Sequence, residues 1–303
     1  MKKISIGKSQ LETSELILGC MRISQISVDE VRELIETAME YGIDLFDHAD
    51  IYGKGSCEEI FGEALTPSLR DKIKIQTKCG IREGLYDFSA EHIISSVDAS
   101  LKRLKTDYID LLLLHRPDTL MEPEVVASTF DKLYKSGKVR NFGVSNFNSM
   151  QVELLQKYTY YKILANQLQL SITNTGMIDS GLNVNTQFPG GLDRDGSILE
   201  YCRLNNITIQ AWSPFQHGFF EGIFLNNKKF PELNKVLDRI SEEKNVSTSA
   251  IAIAWILRHP ARMQPIIGTT NKDRLKDICT ASTVSLSREE WYEIYRSAGN
   301  KLP

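Results

Sequence analysis

Polar and apolar positions along this chain alternate repeatedly between a period of two and a period near 3.6, the signatures of strand and helix. Residues 3–18 alternate across Gly7-Lys8-Ser9, which predicts a short β-hairpin and then a first core strand ending at Gly19-Cys20-Met21. Ser27 ahead of Val28, with Glu30 three positions on, reads as a capping box. Val31, Leu34, Ile35 and Ala38 then keep helical spacing until Gly42. A second apolar run ends at Asp47. The same exchange continues through helix 56–65, strand 73–77, helix 89–104, strand 109–114, helix 123–136, strand 138–144, helix 150–158, strand 163–168, helix 197–204, strand 207–211, helices 232–244 and 248–258, and strand 265–268. Eight strands after the hairpin, each followed by helix and with no linker between, predict a single (β/α)8 TIM barrel over residues 1–303. A doubly wound open sheet requires a Gly-x-Gly-x-x-Gly turn after the first strand, and none follows Gly19.

Composition narrows the function classes. A net charge of −3 without any Lys/Arg run gives no field for nucleic acid. The longest wholly apolar stretch is the eight residues from Ala250, too short to cross a bilayer. No apolar signal segment follows Met1, so a cytoplasmic location is expected. Five scattered cysteines read as free thiols, and Cys79, next to Lys78, is expected to feel that charge. P-loop, zinc-helix and nucleophile-elbow motifs are all missing, and no metal site is expected.

The candidate chemistry lies at strand ends. Three successive strand-like runs finish in Asp47, Lys78 and His115, and Tyr52 follows Asp47 by five residues. Each residue alone suits an ordinary capping, loop or core role. In a parallel barrel, however, all strand C-termini open on one face, where the four converge. Lys78 beside Tyr52 is expected to lower the phenol pKa from its usual value near 10, with Asp47 keeping the lysine charged. Such a group protonates an oxygen on which negative charge develops, and His115 holds that oxygen in line. Two long stretches on the same face, 170–196 and 214–230, are candidates for the substrate wall, the second carrying Phe215, Phe219 and Phe220.

On these residues the chain resembles the aldo-keto reductase family. Residues 42–53 resemble its first signature, 108–115 its strand-four signature and 137–147 a third. The resemblance spans essentially the whole chain. It implies an enzyme that reduces an aldehyde or ketone with NADPH, NADH being the alternative, without an obligate protein partner. Tyr52 is then the general acid, tuned by Lys78 and Asp47, and His115 orients the carbonyl. Ser145, Asn146 and Gln167 hold the carboxamide, Trp212 stacks on the nicotinamide, and Gly19 and Met21 lie near the ring. Ser213, Phe215 and Gly218 lie against the pyrophosphate. Gly268, Thr269 and Arg274 meet the adenosine end, where Thr269 and Arg274 suit a 2′-phosphate. Gly268 departs from the family, many of whose members have a lysine there, and this weakens the preference for NADPH. The chain also stops soon after the helix around Trp291, which implies a more open pocket. The weaker alternatives are a cofactor-binding redox-sensing subunit with little turnover, and a barrel enzyme using Lys78 as a Schiff base.

Overall fold

The computed structural model describes all 303 residues. An antiparallel hairpin, β1 (Lys3–Ser5) and β2 (Glu12–Ser14), precedes the barrel. The other strands are β3 (Ile17–Gly19), β4 (Leu45–Asp47), β5 (Lys74–Cys79), β6 (Ile81–Arg82), β7 (Leu85–Tyr86), β8 (Leu111–Leu114), β9 (Phe142–Ser145), β10 (Ile163–Gln169), β11 (Thr208–Trp212) and β12 (Gln264–Ile267). All but β6 and β7 pair in parallel and close on themselves, β12 beside β3, into the eight-stranded barrel expected. The helices are α1 (Val28–Glu40), α2 (Ser56–Ala64), α3 (Pro67–Arg70), α4 (Ala90–Leu104), α5 (Pro123–Lys135), α6 (Ser149–Tyr158), α7 (Gly176–Leu182), α8 (Ile198–Asn205), α9 (Pro231–Lys244), α10 (Thr248–Leu257), α11 (Lys272–Cys279) and α12 (Arg288–Ser297).

Local signals acted where they were read. The Ser27 side chain accepts from the Glu30 amide while the Glu30 carboxylate accepts from the Ser27 amide, satisfying two donors at the start of α1. The strand expected over 138–144 is shorter, because Arg140 lies over the Tyr108 ring at 3.4 Å and Asn141 donates to the Asp110 carbonyl. Only Val139, bridging to Ile109, pairs ahead of β9. The hairpin β6–β7 and the short helices α3 and α7 are additions to the expected plan.

Alternation along each strand builds two apolar layers. Phe46, Ile75, Leu112, Leu114, Phe142 and Val144 face outward into the main core under the helices. Inside, Leu111, Leu113, Leu164 and Ala165 close on Ile6, which the hairpin inserts as a floor. Gly7, at φ +58°, follows it so closely that a Cβ would stand 2.9 Å from the Leu164 carbonyl oxygen, while its amide donates to Thr208 Oγ1 at 2.7 Å. The hairpin therefore stoppers the end opposite the strand C-termini, which leaves the other end for a site.

Ile6 is fully buried at the centre of the floor, with half-buried Leu11 packed beside the cluster, so Ile6→Ala is expected to lower unfolding free energy by about 2–4 kcal/mol. Equilibrium denaturation in urea measures this, and a loss under about 1 kcal/mol would mean that the hairpin is not a structural plug.

Candidate active site

The three strand-end groups and the tyrosine do meet. Lys78, fully buried on β5, sends Nζ to Asp47 Oδ1 and Oδ2, both at 2.8 Å, to the His48 carbonyl at 2.7 Å and to the Tyr52 hydroxyl at 3.1 Å. Three N–H bonds are thus shared among four oxygens. The Tyr52 ring stands perpendicular to His115, with centroids 6.1 Å apart. Tyr52 is held there by a turn in which Gly53, Lys54 and Gly55 all have positive φ, and a Cβ on Gly53 would collide with Ser56 Oγ.

Electrostatics differ from expectation at two residues. Burial pushes the Tyr52 phenol above its usual value, and Lys78 offsets this only in part because Asp47 opposes it. Cys79 is likewise raised, by burial and then by Asp50 and Glu58, so Lys78 does not activate it. Lys78 itself is held above the usual lysine range: burial alone would lower it, but the Asp47 carboxylate and the Tyr52 oxygen outweigh that. A Schiff base needs the neutral amine, so this lysine is unsuited to one. Burial, then the charges of Lys78 and Arg116, keep His115 well below the ordinary histidine value and hence neutral. Its Nδ1 is buried without a partner.

Beneath this cluster runs a chain of buried glutamines, of which the sequence singled out only Gln167, and for a different role. Gln76 and Gln167 both donate to Asp47 Oδ1, at 2.5 and 3.0 Å. Gln210 Nε2 donates to Gln76 Oε1 at 2.9 Å and to Gln264 Oε1 at 3.2 Å, and Gln264 donates to the Ser14 carbonyl at 2.7 Å. Amides from β5, β10, β11 and β12 thereby tie the Asp47 carboxylate to the barrel wall.

Above the cluster opens a cavity of about 710 Å³. Asp47, Tyr52 and His115 line it at the ends of β4 and β8, and Gly268, Thr269 and Arg274 line it after β12, four strands from β8 around the barrel. Gly19, Met21, Ser145, Asn146, Gln167, Trp212, Ser213 and Phe215 line it as well. A Cβ on Gly19 would stand 2.8 Å from Ile266, so glycine keeps that wall thin. Asn146 and Ser213, directly after β9 and β11, both have positive φ, at 61° and 52°. The chain there turns sharply enough to aim side chains into the cavity, at a backbone cost that is larger for serine. Trp212 is half-buried, stacks on Phe220 with centroids 5.9 Å apart and donates to Asn146 Oδ1 at 3.1 Å. Asn271 caps α11, accepting from the Arg274 amide, which leaves the first backbone N–H groups of that helix available.

Several placements add to or depart from expectation. Gly218 is not on the wall: it lies exposed in a turn, its carbonyl taken by Gln169 at 2.8 Å. Lys78 lies behind the wall and touches the cavity only through Tyr52 and Asp47. The 170–196 stretch contributes nothing to the cavity, because α7 is tied instead to α12 by Tyr295 donating to Asp179 at 2.6 Å. Of the 214–230 stretch, Pro214, Phe215, Gln216, Phe220 and Ile223 do line it, whereas Phe219 does not. Ile81, from the unforeseen β6–β7 hairpin, and Arg22 join them. Arg22 Nη1 donates to the Gly268 carbonyl at 3.1 Å, putting a cation where Gly268 itself carries none.

Comparison with known proteins agrees with this architecture. Residues 15–298 match the model of the Aldo/keto reductase family. The oxidoreductase YcsN of Bacillus subtilis is 37% identical over the full length of both chains. A 6-dehydroglucose reductase of Agrobacterium fabrum is 36% identical over 99% of each. The solved structure of the thermostable aldo-keto reductase Tm1743 with the inhibitor epalrestat superposes with a TM-score of 0.79 at 26% identity, over 98% of this chain and 100% of that one.

Behind Tyr52, Asp50 carries the most perturbed carboxyl. Its Oδ1 is buried without a partner, and burial followed by the nearby Glu58 raises its pKa to about 7. Arg103 opposes the shift but is committed to Glu58 at 2.8 Å. An unfolded aspartate ionises near 4, so this group stabilises the fold fully below about pH 4, and that stabilisation is lost as pH rises through 7. Asp50→Asn is therefore expected to raise the denaturation midpoint at pH 8 and to leave it in place at pH 4. An equal shift at both values would exclude ionisation as the cause.

Proposed function

Because the chain belongs to the aldo-keto reductase family, whose members are NAD(P)H-dependent oxidoreductases, we propose that it reduces an aldehyde or ketone to an alcohol using NADPH, with Tyr52 as proton donor. The observation that carries this reading is the convergence of a Tyr52 hydroxyl, an Asp47-paired Lys78 ammonium and a neutral His115 on one cavity.

The residues along that cavity fit a nicotinamide dinucleotide. Asn146, Gln167 and Ser145 line the cavity, and although their N–H and O–H groups donate within the protein, their side-chain oxygens suit the N–H groups of a carboxamide. Trp212 offers a flat face, and Ser213 and Phe215 border the same cavity. Beyond β12 Arg274 makes no ion pair, Arg22 touches only a carbonyl, and the α11 N-terminus and Thr269 are close by. Two guanidinium groups and free N–H groups suit phosphate oxygens, which supports NADPH over NADH despite glycine at 268. The cofactor, when bound, supplies the hydride to the carbonyl carbon.

The chain's own residues manage the proton. Burial keeps the Tyr52 phenol neutral, so the hydroxyl holds its proton until an acceptor stronger than water arrives. His115, kept neutral, donates from Nε2 to the substrate oxygen and orients it beside Tyr52. Lys78, 3.1 Å from the hydroxyl, stabilises the phenolate left after transfer, and Asp47 holds that ammonium in place.

Tyr52→Phe removes the transferable proton but not the ring, so turnover is expected to fall by about 100- to 10,000-fold while cofactor affinity stays within a few-fold. Steady-state kinetics and a cofactor titration by tryptophan quenching check both parts, and full activity in the variant would sink the assignment. Arg274→Ala should weaken NADPH by about 10-fold or more and NADH much less. Equal loss for both cofactors would place Arg274 away from the 2′-phosphate.

A further inference from the structure

One charged group in the cavity is left without a role by this reading. Arg116 follows His115 directly at the end of β8 and lines the same cavity. Its guanidinium makes no hydrogen bond, and no carboxylate approaches it within an ion-pair distance of 4.0 Å. The nearest acid in sequence, Asp118, is used elsewhere: it accepts from the Phe88 amide at 3.0 Å and the Leu120 amide at 2.8 Å. Contact with Trp212 is loose, the guanidinium carbon standing 6.0 Å from the ring centroid, at the outer limit of a cation–π attraction. The one carboxylate on the cavity wall, Asp47, already accepts from Lys78, Gln76 and Gln167. Half-burying an arginine without a partner costs solvation that nothing within the protein returns.

Resting on the carbonyl-reductase reading, we propose that Arg116 selects substrates whose carbonyl compound also carries an anionic oxyacid group, a carboxylate or a phosphate. With the reacting oxygen between Tyr52 and His115, the guanidinium on the adjoining residue faces the remainder of the substrate. A planar fork of N–H donors suits a two-oxygen anion. Of the other cations of the cavity, Arg22 donates to the Gly268 carbonyl and Arg274 follows β12, the strand four places from β8 around the barrel, so neither is placed to take over from Arg116. Ile51, Ile81 and Phe220 line the same cavity, and apolar lining of this kind strengthens the pull of a cation on an anion.

The test compares an anionic with a neutral substrate in two pairs with NADPH: the nearly isosteric 4-carboxybenzaldehyde and 4-formylbenzamide, and glyceraldehyde 3-phosphate against the smaller glyceraldehyde. The wild-type ratio of kcat/KM, anion over neutral, is expected to be about 10 or more for at least one pair. It should fall by about 10-fold or more in Arg116→Gln and by less in Arg116→Lys. The pair with the high ratio tells carboxylate from phosphate. Ratios at or below one in both pairs, or ratios that Arg116→Gln does not move, overturn the proposal. Binding of 4-(hydroxymethyl)benzoate against 4-(hydroxymethyl)benzamide to the NADP+-loaded protein, followed by tryptophan fluorescence, gives a readout free of turnover. If no aldehyde is reduced while the benzoate still binds through Arg116, the reductase reading fails and the anion site stands. If the preference for benzoate survives in Arg116→Gln, the anion site fails whatever the turnover.

Discussion

The ion pair between Asp47 and Lys78 is the constraint on which the rest of the site depends. Both side chains are almost wholly buried, and two charges removed from water repay their desolvation only when the geometry is good and the remaining hydrogen bonds are made. Here both conditions hold. Nζ meets four oxygens, and Asp47 Oδ1 also takes amides from Gln76 and Gln167. One charge then conditions its neighbours. The ammonium favours the anionic form of Tyr52 and disfavours a proton on His115 and on His48, whose pKa is lowered to about 3, chiefly by burial. A neutral aliphatic side chain at Lys78 would leave a buried carboxylate alone and release both imidazoles from that repulsion.

Holding such a pair in register is a task for the barrel, and the glutamine chain shows how it is done. An apolar floor closed by Ile6 gives way upward to a polar layer of Gln76, Gln210 and Gln264, and only then to the charged groups. Each amide is fixed by its neighbour, so displacement of one strand would break bonds on two others. That coupling keeps Asp47 aimed at Lys78 without help from any loop. The irregular part of the site is confined to the connections after the strands, where Asn146 and Ser213 hold left-handed backbone that ordinary turns avoid.

Much of this was legible in the sequence, for identifiable reasons. Strands covered on both sides, such as β8, read as unbroken apolar runs, and caps such as Ser27 with Glu30 mark helix starts, so the eightfold alternation could be counted. Barrel geometry then brings Asp47, Tyr52, Lys78 and His115 together whatever the details of packing. Features set by long-range packing were not legible. Gln76 and Gln210 are 134 positions apart, and no local pattern marks them as partners. Arg22 reaches Gly268 across 246 positions. The hairpin β6–β7 has two-residue strands, too short for any period to appear, yet it brings Ile81 to the cavity. Gly218 lies in a loop whose path depends on the Gln169 side chain, so adjacency to Ser213 and Phe215 in sequence did not put it on the wall.

The Tyr52 shift shows why proximity to an ammonium is an incomplete argument. From sequence, Lys78 beside a phenol implied a lowered pKa, but the same burial that strengthens the attraction also penalises the phenolate, and Asp47 returns a negative charge to the cluster. In the proposed reaction this is no obstacle. A phenol at rest needs to keep its proton, and a raised pKa ensures that at neutral pH. The acceptor, an alkoxide forming on a carbonyl oxygen, has a conjugate acid about as weak as water and far weaker than any phenol. Transfer is therefore downhill even from a phenol above its ordinary value, and the Lys78 ammonium becomes valuable only afterwards, when the phenolate exists. Burial and cation act at different stages of one proton transfer, and the Asp47 carboxylate is what allows a lysine to remain charged between them.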